Sequence, residues 1–246
     1  KEGITMSITG NDIVSDVRSE IIEPNPTFFS NDRMLQLINL AQNEYVRRTR
    51  VIQSFAFTST SIGQADYPMP QDWLGSEKIF YNRPSGSIAN WRPLGPTSIE
   101  KMGQESQNFL SPDASTFGVP SKYYIIGKTL YIFAKPNTNG VNDLYMFYEA
   151  SATPLATLND TLSIDDSLYP GIRAYVLSKL WRQDNEDAKA DREWANYEKE
   201  IGNGFKWKNK RLLDGRWAID IASFVPYSYN SYNSGAVNGM INPLNQ

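Results

Sequence analysis

The segment YYIIGKTLYIF, residues 123–133, places two runs of aromatic and β-branched residues on either side of Gly127-Lys128. Two such runs joined by a two-residue turn predict an antiparallel hairpin with strands at 122–126 and 129–134. Similar runs, separated by turns rich in Pro, Gly and Asn, predict further strands at 52–58, 77–82, 88–92 and 143–149. Residues 51–164 are therefore predicted to form an antiparallel β region.

Outward from this region the apolar residues change to helical spacing. Two N-terminal helices are predicted, with Thr9 and Ser30 as their N-caps. Two more follow after residue 168, and Gly202 and Gly204 are expected to loosen or end the last of them. The fold class is therefore α+β, with a helical bundle core from 1–50 and 165–211, the inserted β region at 51–164, and an extended C-terminal arm at 212–246.

The helix beginning near Tyr169 carries two adjacent apolar stripes. Tyr169, Ile172, Val176 and Leu180 form one stripe, and Ala174, Leu177 and Trp181 form the second. An apolar surface this wide predicts burial on two sides. We expect the second stripe to form an interface with another subunit.

The C-terminal arm has no charged residue from Ile221 to Gln246, and its last twenty residues show no strand or helix period. Such a stretch cannot build its own core, yet it is too apolar for a simple linker. We expect it to dock on a partner protein or a neighbouring subunit. The docking residues are predicted to be Trp217, Phe224, Tyr227, Tyr229 and Tyr232.

Composition excludes several classes of site. The chain has no Cys and no His, which removes disulfides, thiol nucleophiles, Ser-His-Asp triads and His- or Cys-ligated metals. Gly127-Lys128-Thr129 lacks the preceding Gly of a phosphate-binding loop, and Asp165-Asp166 is expected to cap a helix. We predict no enzyme activity and no cofactor. No apolar run approaches the roughly 20 residues of a membrane span, and no secretory signal opens the chain.

Lys206, Lys208, Lys210 and Arg211 alternate with aromatic residues near the end of the last helix. This pattern fits contact with a nucleic-acid backbone or an acidic surface, and it equally fits the amphipathic end of a helix. Arg47, Arg48 and Arg50 allow the same two interpretations, phosphate contact or helix termination with local ion pairs. The net charge of −3 argues against sequence-specific nucleic-acid recognition.

Four short blocks then occur in a fixed order: VRSEI, TFFSND and INLAQNE within 17–44; DYPMPQDWL at 66–74; GVPSKYY at 118–124, leading to FAKP at 133–136; and the helical pair from Tyr169 to Ile201, with Tyr197-Glu198. In this order the chain resembles the head-to-tail adaptor (connector) proteins of short-tailed and related tailed bacteriophages. The stretch Gly171-Ile172-Arg173 departs from that pattern, and residues 212–246 extend beyond it.

The resemblance implies a structural protein of the virion, located at the head-to-tail interface and assembled in the host cytoplasm. It implies a homo-oligomeric ring of twelve copies beneath the portal protein, with the tail or nozzle protein on the far side. Genome DNA would pass through the lumen with non-specific contacts, and no membrane is involved. The main alternative is a tail-fibre, baseplate or glycan-binding module, which exposed Trp91 and Tyr81 on the β region would favour.

Overall fold

The structure is a computed structural model, and it describes residues 7–22, 28–82, 91–105 and 116–213. The described residues form helices and mostly antiparallel sheets, which confirms the mixed α+β class. The helices are α1 (Gly10–Ile21), α2 (Asn31–Thr49), α3 (Ile99–Glu105), α4 (Tyr169–Gln183) and α5 (Asp187–Leu213). A single 3₁₀ turn at Asp166–Leu168 precedes α4.

Both predicted N-caps are confirmed. The Thr9 hydroxyl accepts a hydrogen bond from the Asp12 N–H while the Asp12 carboxylate accepts one from the Thr9 N–H, a reciprocal capping box at the start of α1. The Ser30 hydroxyl accepts from the Arg33 N–H at the start of α2. These bonds satisfy backbone donors that the first helical turn leaves without partners.

The helices share one apolar core, in which α2, α4 and α5 pack against one another. Tyr45 of α2 is fully buried at the centre of this packing, and its hydroxyl donates to the Glu200 carbonyl of α5 at 3.0 Å. Gly171 and Gly204 make room for it, since a β-carbon at either position would lie 2.5–2.6 Å from a Tyr45 side-chain atom. Helix α5 continues through Gly202 and Gly204, so the expectation that these residues loosen or end it was wrong.

The segment between the β region and α4 belongs to this helical core as well. Ala152, Leu155, Leu162 and Ile164 are buried in the same cluster as the helices. The Asn39 side chain of α2 both donates to and accepts from the Leu155 backbone at 2.8–2.9 Å. Part of the range predicted as β region therefore packs with the helices.

The described part of the β region contains two four-stranded sheets and one two-stranded sheet. The strands are β1 (Gln53–Thr58), β2 (Asp66–Pro68), β3 (Trp73–Asn82), β4 (Trp91–Pro93), β5 (Gly95–Pro96), β6 (Phe117–Gly118), β7 (Lys122–Ile126), β8 (Thr129–Phe133), β9 (Lys135–Pro136) and β10 (Leu144–Ala150). The first sheet has the order β1-β10-β3-β4, the second β2-β8-β7-β5, and β6 pairs with β9.

The predicted hairpin is confirmed, with β7 and β8 antiparallel, Ile126 opposite Thr129, and Gly127 in the left-handed region at φ +60°. The predicted strands at 52–58, 77–82 and 143–149 correspond to β1, the second half of β3, and β10. Strand β2 was not predicted, and most of the predicted strand at 88–92 lies outside the described residues. The two larger sheets pack together around Tyr67, Ile79, Leu130 and Met146.

Candidate interaction surfaces

Helix α4 presents less surface to a partner than its sequence suggests. Ala174 and Leu177 are buried in the chain's own core, because α2 and α5 both pack against α4. The expectation that these two residues form a subunit interface is corrected accordingly, since they have no surface to offer. Trp181 is the member of the predicted set that stays partly exposed.

Trp181 instead belongs to a shallow groove at one end of the helical core. The groove has a volume of about 140 Å³ and is lined by Ile21, Phe28, Phe29, Leu180, Trp181 and Asp184. Phe28 on its rim is 70% exposed, and Ile22, which follows the lining residue Ile21 in sequence, is exposed as well. The Trp181 Nε1 atom is buried without a hydrogen-bond partner. Exposed apolar residues beside an unsatisfied donor are typical of a surface that another molecule covers.

The basic segment of α5 divides into paired and exposed cations. Lys208 donates to the buried Glu149 carboxylate of β10 at 2.5 Å, and the Arg50 guanidinium lies 3.9 Å from the same carboxylate. Lys208 therefore ties α5 to the first sheet, and the predicted contact of Lys208 with DNA or an acidic partner would compete with this ion pair. Lys206 and Lys210 are exposed, and the Arg211 side chain lies outside the described residues.

The aromatic residues between these cations also differ in how far they are exposed. Trp207 packs against the helical core and lines a groove of about 290 Å³ with residues 51–53 and 163–165. Phe205 is exposed, so only part of the end of α5 follows the amphipathic pattern. The packing of Trp207 places the end of α5 beside the first residues of β1.

The arginines at the end of α2 make local contacts. Arg47 pairs with Glu44 one turn earlier, and Arg48 forms a bidentate pair with Glu198 of α5, with both N–O distances at 2.7 Å. The hydrogen bonds between them lower the pKa of Glu198 and raise the pKa of Arg48. Arg50 ends α2 in the left-handed region. These contacts favour helix termination with local ion pairs over phosphate binding.

An exposed aromatic face on the first sheet was not identified from the sequence. Phe55 is 55% exposed and Phe57 is 39% exposed on β1, and both rings contact Tyr145 of β10 at centroid distances of 5.9 and 4.9 Å. The ring centroid of Trp91 on β4 lies 6.0 Å from that of Phe57. The alternation of Phe55 and Phe57 with small residues was visible, but it did not show that the large side chains face outward.

Trp91 is part of this face, whereas Tyr81 is buried in the core of the β region. The structure therefore supports one of the two residues on which the glycan-binding alternative depends. Asp165 accepts from the Ser167 N–H at 3.0 Å and caps the 3₁₀ turn, as predicted. The described residues contain no group of three acidic side chains placed to hold a metal ion.

The five predicted docking residues of the C-terminal arm, from Trp217 to Tyr232, lie outside the described residues. Among the helices that the structure describes, none combines the length and the apolar character that a membrane crossing requires.

Comparison with known proteins places these surfaces in context. A search of curated proteins returned no match. The family described as SU10 adaptor protein matches residues 8–218, which include every described helix and strand. The match spans most of the chain and agrees with the resemblance derived from the four sequence blocks. The chain belongs to the SU10 adaptor protein family, a family of structural adaptors of bacteriophages.

Proposed function

We propose that this adaptor forms a ring of twelve copies that joins the portal protein of the capsid to the tail or nozzle protein and surrounds the DNA channel. The observation that carries the proposal is the family match over residues 8–218. The role requires stable contacts between proteins and no catalytic step. The chain would act in the virion, at the head-to-tail interface.

The proposal gives each part of the chain a separate task. The helical core, 1–50 and 165–211 together with the segment 152–164 that packs on it, would form the ring, and the remainder of the β region would extend from it. The groove beside Trp181 is the proposed contact between neighbouring subunits, because the exposed Phe28 on its rim would be covered in a ring. Burial of one aromatic side chain of this kind contributes about 1.5–3 kcal/mol.

We further propose that the arm, 212–246, docks on the portal or on an adjacent subunit through Trp217, Phe224, Tyr227, Tyr229 and Tyr232. Support comes from its aromatic, uncharged sequence, which offers apolar surface without a core of its own. Truncation at Gly215 should leave a folded subunit that attaches poorly to the portal. Unchanged attachment of a truncated chain with wild-type circular dichroism would contradict this proposal.

The exposed cations Lys206 and Lys210 are proposed to contact DNA or an acidic partner surface. Contact with DNA phosphates would weaken steeply as salt concentration rises, since each neutralised phosphate releases counterions. Charge reversal at both positions should reduce DNA retention at low salt. An unchanged salt dependence in that variant, together with normal assembly, would exclude the contact.

The aromatic face around Phe57 and Trp91 favours a second candidate function, the binding of glycans by a tail-fibre or baseplate module. Sugar rings stack on exposed aromatic side chains, but they also need polar groups beside them. The most exposed rings of this face are phenylalanines, which supply no hydroxyl group. Retention on a glycan array by a chain that ignores the portal would favour this candidate.

The direct test is co-sedimentation of the purified chain with portal rings of the same phage. We expect the chain to sediment with the portal and to remain bound through a wash at moderate salt. A control variant, Ile126→Ser, changes an exposed residue at the tip of the β7–β8 hairpin, far in sequence from the proposed contacts, and should bind the portal as the wild-type chain does. A wild-type chain that stays in the supernatant would contradict the adaptor proposal.

A further inference from the structure

Strand β1 is an open edge of the first sheet. Within the described strands, β10 is the one neighbour hydrogen-bonded to β1. The Ala150 N–H donates to the Ile52 carbonyl at 3.0 Å, and because antiparallel bonds alternate along a strand, residues 54, 56 and 58 also bond to β10. The backbone groups of Gln53, Phe55 and Phe57 therefore point away from the sheet.

The same residues carry the exposed aromatic side chains. Phe55 and Phe57 combine outward-pointing backbone groups with rings that form the aromatic face. An apolar edge strand of this kind templates pairing with another segment, and soluble proteins normally protect such an edge. Charged residues, proline or a covering element would give that protection, and β1 contains neither a charged residue nor a proline.

The arm contains a segment suited to this edge. Trp217, Ile219 and Ile221 alternate with Ala218, Asp220 and Ala222, the two-residue period of a strand with one apolar face. Phe224, Val225 and Tyr227 continue the apolar character. Beyond Asp220 the arm carries no charge, which matches the uncharged face formed by Phe55, Phe57 and Trp91.

The end of α5 brings the arm to the level of the β1 edge. Lys208 contacts Glu149, which is paired with Gln53, so α5 approaches its end beside the start of β1. Rotation about a ring axis preserves height, so each arm would leave its subunit at the level of the β1 edge of the next subunit. Residues 214–246 span on the order of 100 Å when extended, enough to reach it.

We propose that residues 217–227 of one subunit add as a strand to the β1 edge of the neighbouring subunit and cover Phe55 and Phe57. This inference rests on the proposed ring and specifies the surface on which the arm docks. Strand addition of this kind uses backbone hydrogen bonds for affinity and alternate side chains for specificity. Each subunit donates one arm and receives one, a head-to-tail contact that closes in a ring.

The natural absence of cysteine permits a clean cross-linking test. One full-length chain carries Phe57→Cys, and a second carries Trp217→Cys, Ile219→Cys or Ile221→Cys, which together sample the register. The two chains are mixed with the portal ring and oxidised mildly, and the portal-bound stoichiometry is measured in the same sample. The control replaces Phe57→Cys with Ile126→Cys, an exposed position in the other sheet.

We expect a covalent dimer of the two single variants at one or more arm positions, at least about tenfold above the control. Dimers at the control level would overturn the inference. A chain that carries both Phe57→Cys and one of the arm cysteines provides a further check. If it forms only a disulfide within one chain, the arm covers its own sheet and the inference is overturned. A complete ring on the portal without cross-links would overturn the inference and leave the adaptor function intact. Cross-links between chains that do not bind the portal would support strand addition and contradict the adaptor function.

A second measurement needs no substitution. Hydrogen exchange of the β1 amides should slow at least about tenfold when the ring assembles, because the outward N–H groups of Phe55 and Phe57 gain acceptors. Equal exchange in the monomer and the ring would overturn the inference.

Discussion

The packing of α5 against Tyr45 predicts opposite effects for two neighbouring glycines. A β-carbon at Gly204 would lie 2.6 Å from the Tyr45 hydroxyl oxygen and 2.9 Å from the Thr49 methyl carbon, whereas a β-carbon at Gly202 meets no atom within 4 Å. Both glycines are inside α5, so the gain in helix propensity from alanine is the same at both positions. Gly202→Ala is therefore the matched control for Gly204→Ala.

The magnitudes follow from two opposing contributions. Alanine stabilises a helix interior by about 1 kcal/mol relative to glycine, and overpacking of a well-packed core costs about 1–3 kcal/mol. Gly202→Ala should therefore raise the free energy of unfolding by up to about 1 kcal/mol, or about 2–4 °C in melting temperature for a chain of this size. Gly204→Ala should be about 1–3 kcal/mol less stable than Gly202→Ala.

The assay is urea unfolding followed by tryptophan fluorescence and circular dichroism. Adding Tyr45→Phe to Gly204→Ala removes the hydroxyl oxygen that the new methyl group would meet, and it also removes the 3.0 Å bond to the Glu200 carbonyl. A double-mutant cycle separates these effects, and we expect a favourable coupling of about 1 kcal/mol. Equal stabilisation by the two alanine variants, or a coupling near zero, would refute the packing described here.

The remaining predictions concern charge, pH and assembly. Lys208→Met should lower the free energy of unfolding by about 1–3 kcal/mol, because it deprives the buried Glu149 carboxylate of its hydrogen-bonded cation. Lys206→Met, at an exposed position of the same helix, should change it by less than about 0.5 kcal/mol. Equal losses for the two variants in urea unfolding would contradict the ion pair between Lys208 and Glu149. Burial raises the pKa of Tyr67 to about 12, so its neutral phenol stabilises the folded state below about pH 10, and this stability should be lost as the pH rises towards 12. The absorbance titration at 295 nm of the folded chain minus that of a Tyr67→Phe variant separates this residue from the other tyrosines, and a difference centred near pH 10 would refute the raised pKa. Phe28→Ser should leave the melting temperature of the subunit within about 2 °C of wild type, because the side chain is 70% exposed. The same variant should reduce the number of subunits bound per portal ring. A wild-type number of bound subunits would exclude the groove beside Trp181 as the contact between subunits.

The features that the sequence predicted correctly are governed by neighbouring residues. Thr9 caps α1 through Asp12, three residues later, and Gly127 allows the left-handed turn between two adjacent strands. In both cases the deciding partner lies within a few positions along the chain. Local propensity and hydrophobic periodicity were therefore sufficient to predict the caps, the hairpin and the mixed class.

The features that the sequence did not reveal depend on residues distant in sequence. Gly204 is required by Tyr45, and Lys208 is held by Glu149, and neither partner is indicated by local spacing. Ala174 and Leu177 were assigned to a subunit interface because the apolar surface of α4 is wide, but α2 and α5 of the same chain cover that width. Periodicity shows that a face is buried without showing which element covers it.

The same reasoning explains why the aromatic face was missed. Alternation in β1 separates two faces, and large aromatic residues on one of them normally indicate the core side. Here Ala56 packs against the core of the β region, while Phe55 and Phe57 face outward. The assignment requires the position of the second sheet, which only the assembled fold supplies.

The central claim, that this chain is a ring-forming adaptor between portal and tail, is tested most directly by native mass spectrometry of the full-length chain with and without portal rings of the same phage. The account predicts one fixed stoichiometry on the portal, with twelve adaptor copies per portal ring. A chain that stays monomeric or trimeric in the presence of the portal, with no complex at any ratio, would contradict the account.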